Sequence, residues 1–425
     1  MKSILFSLLL LVVLFLSLSC SESYDYSQAS LGLGLRDYSC TEAWIEVQIG
    51  SNDKTANIYI KKNDEIIQTV KVGESETLFY FDDLLPNTAY KFDAVTYEDG
   101  KEVKSNPVTF TTLDTTSHNF SWQTFTFGGS DASLIYDVAI IDENNIWAVG
   151  EIYMNDSLGN PDSKRYNAVK WNGFDWTVIR IPYNYQGTDF YNPIQSVFSF
   201  NENDIWFCGN GVIHFDGINF IPVPIPTNVW GPNQMNKLWG SSSNDLYVVG
   251  ANGSIAHYQN GSWAKIESGT TSIIGDAWGV SNNGISTVYC AVSSFWEPLQ
   301  DRKILKIENG KVDSVSWYKD RLISSCWTNS NNYLYVCGSG VYNNKSGQWY
   351  QENLPAISMN SIRGNALNDI FLIGDFGFAA HFNGVSWQIY NENFGDIYRL
   401  IIKQDIVSFV GQKNGYGYLV LGRRN

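Results

Sequence analysis

Charge is scarce in this chain, and positive charge is the scarcer sign. Charged residues make up 17% of the 425, with 28 Lys and Arg against 43 Asp and Glu, for a formal net charge of −15. Because acidic chains bind phosphate backbones poorly, we expect no nucleic-acid partner. The 11 prolines are too few for a collagen-like or proline-rich fibre. Apolar material is plentiful, with 44% hydrophobic and 15% aromatic residues, which predicts large cores and argues against disorder.

The motifs that mark common catalytic and cofactor sites are also missing. The six cysteines form no Cys-x-x-Cys pair, so the sequence predicts no structural zinc site. There is no Gly-rich nucleotide loop, no Gly-x-Ser-x-Gly and no His-Glu-x-x-His. We therefore assign no catalytic residue, no metal and no cofactor from the sequence.

The one long apolar run extends from Ile4 to Leu18. As a helix it would span about 22 Å, short of a ~30 Å hydrocarbon core, so residues 1–20 are predicted to be a cleaved export signal. The stretch Leu16–Cys20 (LSLSC) resembles a bacterial lipobox, which implies that Cys20 is acylated and that this lipid is the only membrane contact. Ser21, where Asp would imply inner-membrane retention, favours the outer membrane, on its periplasmic or surface face.

Residues 21–36 are predicted to be a polar tether, and residues 37–113 a small β-sandwich. Short alternating strands with frequent turn residues favour the sandwich. The run Leu84–Tyr90 (LLPNTAY) resembles the tyrosine corner of fibronectin type III domains. That resemblance implies that the Tyr90 hydroxyl bonds back to the nearby backbone. We interpret this domain as a spacer below the next one.

The rest of the chain, residues 119–425, carries an internal repeat. Its signature is a turn residue, an apolar–aromatic pair, two apolar residues and Gly, as in Asp204–Gly209 and Asp245–Gly250. Seven copies recur about forty residues apart, the period of a four-stranded propeller blade. The sequence therefore predicts an all-β chain, with a seven-bladed β-propeller after the sandwich.

The two ends of the repeat region complement each other. The seventh copy ends after three strands at Asn425, and one lone strand, Ser121–Phe127, precedes the first copy. We predict that this strand completes the last blade and closes the ring, which removes exposed sheet edges.

The blades resemble the repeats of exported bacterial propeller proteins, most clearly at Trp239–Asp245 (WGSSSND). Relatives with this lipoprotein, sandwich and propeller order often carry a glucosyltransferase label. The sequence offers little support for glucosyltransferase activity, because it lacks an Asp-x-Asp sugar-nucleotide motif.

Three of the four histidines, His214, His257 and His381, occupy one column of the repeat. Because the column places them in separate blades, we predict that each bonds within its own blade and that they share no metal. Cys208, Cys290 and Cys337 also share a column, and we interpret them as small buried hydrophobes.

Insertions interrupt the repeat at four places, residues 151–166, 181–193, 222–232 and 293–303. All four connect strands on the same face of the predicted disc. Their aromatic and polar residues suit a sugar ring or a peptide, although the aromatics could instead pack beneath their own loops. The candidate ligand-binding residues are Tyr153, Tyr183, Tyr185, Asp189, Phe190, Tyr191, Trp230, Phe295 and Trp296.

Three hypotheses for function follow. The first is a non-enzymatic envelope lipoprotein whose propeller binds a glycan or an envelope protein. The second is a carbohydrate-active enzyme, a transferase, hydrolase or lyase, with Asp189, Glu297 and Asp301 as the acids in the inserted loops. The third is a structural assembly factor of the envelope.

Overall fold

The computed structural model describes residues 31–50, 57–71, 76–98, 100–129, 132–293, 301–317, 321–345 and 347–425. The predicted export signal and Cys20 lie outside these residues, as do Phe295, Trp296 and Glu297. Lipidation and any role of those three loop residues stay predictions. Within the described residues, no helix is long and apolar enough to cross a bilayer.

The N-terminal part of the described chain folds into two sheets around one core. A three-stranded sheet has the order β1-β2-β5, and a five-stranded sheet has the order β4-β3-β6-β7 with β8 paired to β6. Buried Ile45, Val47, Ile60 and Phe92 lie in the core between them. The strands of this two-sheet unit are β1 (Leu31–Tyr38), β2 (Ala43–Ile49), β3 (Asn57–Lys62), β4 (Glu65–Lys71), β5 (Glu76–Phe81), β6 (Ala89–Glu98), β7 (Lys101–Lys104) and β8 (Val108–Thr111).

The predicted tether boundary at residue 36 is corrected by β1. This strand starts at Leu31 and pairs along its length with β2. Leu31 and Leu33 alternate with glycine and point into the core, so the glycines conceal a short period-two strand. At the other end of the unit, the backbone N–H of Leu85 donates to the Tyr90 hydroxyl at 2.9 Å, the contact that the tyrosine-corner resemblance implies.

The second part of the chain forms seven four-stranded antiparallel sheets, each a blade of a β-propeller. The first six blades use consecutive strands, and the seventh uses β36, β37, β38 and β9. Two short 3-10 turns, Ala251–Gly253 and Asp375–Gly377, follow the second strands of blades three and six. The strands are β9 (Phe120–Phe127); β10 (Leu134–Asp142), β11 (Asn145–Ile152), β12 (Tyr166–Trp171) and β13 (Trp176–Ile179) in blade one; a hairpin of β14 (Tyr183–Tyr185) and β15 (Thr188–Phe190); β16 (Ile194–Asn201), β17 (Asp204–Gly209), β18 (Val212–Phe215) and β19 (Phe220–Pro222) in blade two; β20 (Met235–Ser242), β21 (Asp245–Gly250), β22 (Ile255–Gln259) and β23 (Ser262–Ile266) in blade three; β24 (Ile274–Asn282), β25 (Ile285–Val292), β26 (Lys303–Glu308) and β27 (Lys311–Val315) in blade four; β28 (Ile323–Trp327), β29 (Tyr333–Gly338), β30 (Gly340–Lys345) and β31 (Gln348–Gln351) in blade five; β32 (Met359–Ala366), β33 (Asp369–Gly374), β34 (Phe378–Phe382) and β35 (Trp387–Ile389) in blade six; and β36 (Asp396–Lys403), β37 (Ile406–Lys413) and β38 (Tyr416–Arg424) in blade seven.

The predicted ring closure is confirmed by β9. This strand pairs antiparallel with β38, from Phe120 opposite Arg424 to Phe127 opposite Gly417. The last strand of the chain therefore finds its edge partner at the start of the propeller, and the circle is joined by backbone hydrogen bonds.

The repeat signature forms the second strand of each blade because its apolar residues are buried on both faces. In β21 every residue after Asp245 is buried. Glycine ends the signature because the strands lie close together there: a Cβ at Gly250 would overlap the carbonyl oxygen of Gln234. The recurrence of Gly at this position is therefore a packing requirement.

The two-sheet unit contacts the propeller directly. Trp44 on β2 is fully buried, with its ring 5.4 Å from Tyr80 of its own unit and 5.9 Å from Tyr333 of blade five. Beside it, Lys345 of blade five forms an ion pair with Glu42. The unit is thus joined to the propeller by a packed aromatic contact as well as by the connecting chain.

The predicted burial of Cys208, Cys290 and Cys337 is confirmed, and Cys40 and Cys326 are buried as well. All five are buried and unpaired: Cys40, Cys208, Cys290, Cys326 and Cys337. Burial raises the pKa of the Cys208 and Cys290 thiols far above its usual value, which makes them poor nucleophiles.

Candidate functional site

The inner strand of every blade begins at the same end of the propeller axis, and these starts surround an open funnel of about 450 Å³. The inserted loops 151–166, 181–193 and 222–232 lie on this face. Blades two, three and six contribute the amides Gln195, Asn236 and Asn360. The full lining is Leu134, Tyr136, Gln195, Asn236, Gly275, Ser293, Leu322, Ile323, Ser324, Asn360, Tyr398 and Arg399.

Below this lining lies a ring of buried polar side chains at the next position of each inner strand. On one side of the ring, Asp137 of blade one accepts a 2.7 Å hydrogen bond from the ammonium of Lys237 and a 2.6 Å bond from Ser196. Burial lowers the pKa of Lys237, while the Asp137 carboxylate opposes that shift. The pair spans from blade one to blade three across blade two.

On the other side of the ring, Asp276 of blade four binds the guanidinium of Arg363 through both oxygens, at 2.7 and 3.0 Å. Ser325 donates a further hydrogen bond to Asp276 at 2.6 Å. Burial acts to raise the pKa of Asp276, but Arg363, Arg399 and Lys237 together hold it below its usual value. Asp276 is therefore an anion that holds the inner strands together.

These central residues were not among those singled out from the sequence. Asp137, Lys237 and Asp276 each stand near the start of an otherwise apolar inner strand. A polar residue at the same position of every inner strand would have indicated an axial ring. That signal becomes visible only when the seven copies are aligned by strand.

The loop between blades one and two forms the β14–β15 hairpin, which carries four of the predicted binding residues, three of them exposed. Tyr185 is 57% exposed and Phe190 is 44% exposed. Asp189 is exposed, and its carboxylate accepts a 2.8 Å hydrogen bond from Asn184 across the hairpin. These side chains are accessible to a partner, outside the axial funnel.

Three other predicted aromatics are half-buried, one against its own loop and two against neighbouring segments. The ring of Tyr183 packs beside Gly211 of blade two. Tyr153 contacts Glu151 through its hydroxyl and Arg165 through its ring face. The ammonium of Lys164 lies 5.6 Å from the ring centre of Tyr191. For these residues, such packing takes up part of the surface that the binding hypothesis requires.

The expected exposure of Trp230 is wrong. Its side chain is only 6% exposed, and its indole N–H donates to the carbonyl of Asn233 at 2.6 Å. The ring packs on Gly250, whose missing side chain makes room for it. Trp230 borders a second cavity, of about 670 Å³, between the loops of blades three and four, where only an edge of the residue is accessible.

The acids proposed for the enzyme hypothesis do not form a described pair. Asp301 borders the second cavity, where it accepts hydrogen bonds from Thr270 at 2.7 Å and Ser272 at 2.5 Å and pairs with Lys303. Against the effect of burial, these three partners lower the pKa of Asp301 to about 2. A carboxyl group this acidic carries no proton to give near neutral pH.

The recurring histidines are structural, as predicted. His214, His257 and His381 bond to Asp204, Asp245 and Asp369 of their own blades at 2.9, 2.6 and 2.9 Å. Each imidazole also stacks on an aromatic ring of the second strand, such as Tyr247 beneath His257, 4.2 Å between centres. Among the described residues, no group of three or more potential ligands is placed to hold a metal ion.

Solved structures place this chain among the β-propellers. It is similar to "YCF48 bound to D1 peptide" at 14% identity and a TM-score of 0.53, covering 73% of this chain and 99% of that chain. A gluconolactonase from Xanthomonas campestris matches at 9% identity and a TM-score of 0.40, covering 52% and 82%, too distant to support any inference. No protein-family model and no curated protein matches the chain. The likeness to YCF48 establishes the fold and nothing more specific.

Proposed function

We propose that this chain is a non-enzymatic envelope lipoprotein whose propeller binds an extended segment of a partner protein, with the axial funnel as the central contact. The observation that carries the proposal is the lining of the funnel, to which every blade contributes. Amides from Gln195, Asn236 and Asn360 can pair with peptide groups, while Leu134, Leu322 and Ile323 offer apolar contact. A propeller of similar fold, YCF48, is bound to a peptide.

Binding is better supported than catalysis. No carboxylate is part of the described lining of the funnel, so it lacks the acid pair that glycoside hydrolysis uses. Asp301 is ionised and held by three partners, while Asp189 is exposed on its hairpin. The described residues therefore support recognition on this face.

The remaining parts of the proposal concern attachment. The two-sheet unit would be a fibronectin type III-like stalk, supported by its two sheets and by the Tyr90 contact. The lipid at Cys20 would anchor the stalk to the outer membrane. The intact mass of the mature chain tests this part, because a cleaved but unacylated N-terminus would contradict it.

A second candidate is glycan binding on the β14–β15 hairpin. The exposed rings of Tyr185 and Phe190, with Asn184 and Asp189 between them, suit stacking on a sugar and bonding to its hydroxyls. This candidate uses a surface separate from the funnel, so variants can distinguish the two.

The test combines a peptide library and a glycan array, each probed with fragment 21–425. Tyr398→Ala removes a funnel aromatic that is 37% exposed, and Tyr185→Ala is its matched control on the hairpin. We expect peptide binding that weakens by about 2 kcal/mol in Tyr398→Ala, the size of a hot spot, and is unchanged in Tyr185→Ala. Glycan binding lost only in Tyr185→Ala would favour the second candidate and contradict the first.

A further inference from the structure

The ring beneath the funnel contains more positive than negative charge. Its ionisable side chains are Asp137, Lys237, Asp276 and Arg399 at the ring position itself, together with Arg363, two residues beyond the ring position of blade six. Lys237 is paired with Asp137, and Arg363 is paired with Asp276. Arg399 has no carboxylate to itself, so the ring holds one unbalanced positive charge at the bottom of the funnel.

The position of Arg399 makes that charge available to a ligand. Its Nη2 donates to the carbonyl of Gly275 at 2.5 Å, and its Nη1 lies 3.8 Å from Asp276, beyond hydrogen-bond distance. Asp276 already binds Arg363 through both oxygens. The Arg399 side chain is 19% exposed and lines the funnel, so part of its donor fork faces the opening.

The described carboxylates near the rim are Glu151, Asp375 and Asp396, and none of them is part of the funnel lining. Asp396 is exposed at the start of β36, where it acts on Tyr398. Glu151, beside Tyr136, forms an ion pair with Arg165. Asp375 accepts a 3.2 Å hydrogen bond from Asn360 and is an exposed group of the 3-10 turn outside the inner strands. Asp276, 3.8 Å from Arg399, is already paired with Arg363, and the other described side chains that line the funnel are uncharged, so the guanidinium keeps part of its field towards the opening.

We propose that Arg399 binds a carboxylate of the partner segment, either the free carboxyl terminus of a chain or an Asp or Glu side chain. This inference rests on the proposed function, because it names the group that the funnel receives. A single unbalanced charge matches a monoanion, and a guanidinium presents two parallel donors to a planar carboxylate. The amides above it would then pair with the peptide groups that precede the carboxylate.

The experiment measures binding of octapeptide libraries to the full chain purified in detergent. Each library is made with a free carboxyl terminus and with an amidated one, and each form is made with and without internal Asp and Glu. We expect carboxylate-bearing peptides to bind at least tenfold more tightly than peptides with none. A preference that survives amidation but needs internal acids identifies the side-chain source, and one lost on amidation identifies the terminus.

Variants connect this preference to Arg399. Arg399→Gln should lose at least tenfold in affinity for the carboxylate peptides, and Arg399→Lys should retain part of it because the charge remains. Lys403→Gln, at the exposed far end of the same strand, is the matched control and should bind as the wild type does. Because Arg399 also supports the ring, Gln195→Glu serves as a second variant. It adds a carboxylate to the wall without touching Arg399 and should weaken the same peptides.

The outcomes separate this inference from the proposed function. If peptides bind and Tyr398→Ala weakens them, but acid and amide forms bind equally, the carboxylate inference is wrong and the funnel function stands. Equal binding of carboxylate peptides by Gln195→Glu and wild type would also overturn the inference. If no peptide binds, both proposals fail. Both also fail if only uronate-bearing oligosaccharides of the glycan array bind.

Discussion

At the scale of single residues, an unexpected contact is that between His118 of the linker and His381 of blade six. Their Nδ1 atoms lie 2.8 Å apart, so one ring donates to the other and the two cannot both be protonated there. His381 also bonds to Asp369, which receives Arg424 at 2.6 Å. Burial, then His381 and Arg424, lower the pKa of His118 from 6.5 to about 4. Burial also lowers the pKa of His381, although Asp369 opposes that shift.

We predict that folding stability falls as the pH drops from about 6.5 towards 4. In this window the unfolded chain binds protons at these histidines and the folded chain does not, so acid favours unfolding. Above pH 6.5 both states are neutral at these sites and the effect is absent. Thermal melting across this range should show the loss, and His118→Gln should reduce its slope. An identical slope in the variant would show that other groups cause it.

At the scale of elements, β9 decides whether the propeller is a closed ring. Trp122 on this strand packs against Tyr390, Phe394 and Phe409, with ring centres 5.0 to 5.4 Å away. Phe125, on the same strand, packs instead on Trp171 and Trp176 of blade one. The strand therefore connects blade seven to blades six and one on its two faces.

Trp122→Ala should lower the free energy of unfolding of the whole propeller by about 3 kcal/mol, the low end for truncating a large aromatic, because the ring is only half-buried. The loss of stability should not be confined to the N-terminal end of the propeller, since the closed circle of blades unfolds as one structure. Thr124→Ala, at an exposed position of the same strand, should change stability by less than about 0.5 kcal/mol. Denaturant unfolding of the two variants tests this, and equal stabilities would show that β9 does not close the ring.

At the scale of the whole molecule, the two-sheet unit and the propeller share a packed contact. Trp44 is fully buried between Tyr80 and Tyr333, and Glu42 receives Lys345 beside it. Cys40 Sγ also donates to the Asp114 carbonyl at 3.2 Å in the connecting segment. The two-sheet unit is therefore fixed against blade five by side-chain contacts as well as by the connecting segment.

We expect the wild-type chain to melt in one calorimetric transition, with the unit and the propeller unfolding together. Trp44→Ala removes the aromatic centre of the contact, should cost about 3–5 kcal/mol, and should divide the melt into two transitions. Tyr97→Ala, an exposed aromatic of the same unit at 55% exposure, is the control and should keep one transition. A single unchanged transition in Trp44→Ala would mean that the contact does not couple the two parts.

The sequence by itself determined the propeller, because the same local sequence signals recur in successive blades. The signature strand, the Asn-Gly and Asp-Gly turns and the lone strand before the first copy encode local structure that needs no knowledge of distant residues. It also indicated the role of the histidine column, since groups that recur at one strand position in blades two, three and six are too far apart to share one ion. The start of the two-sheet unit was misplaced, where glycines masked the alternation of Leu31 and Leu33 in β1.

Tertiary structure alone decided which side chains meet at the propeller axis. Asp137, Lys237, Asp276, Arg363 and Arg399 come from five blades far apart in the chain, and only closure of the ring brings them to one axis. Exposure was decided in the same way: Tyr185 and Trp230 both stand in inserted loops, yet one is 57% exposed and the other 6%. The composition of a loop says which side chains are available, but packing against neighbouring blades determines which of them meet solvent.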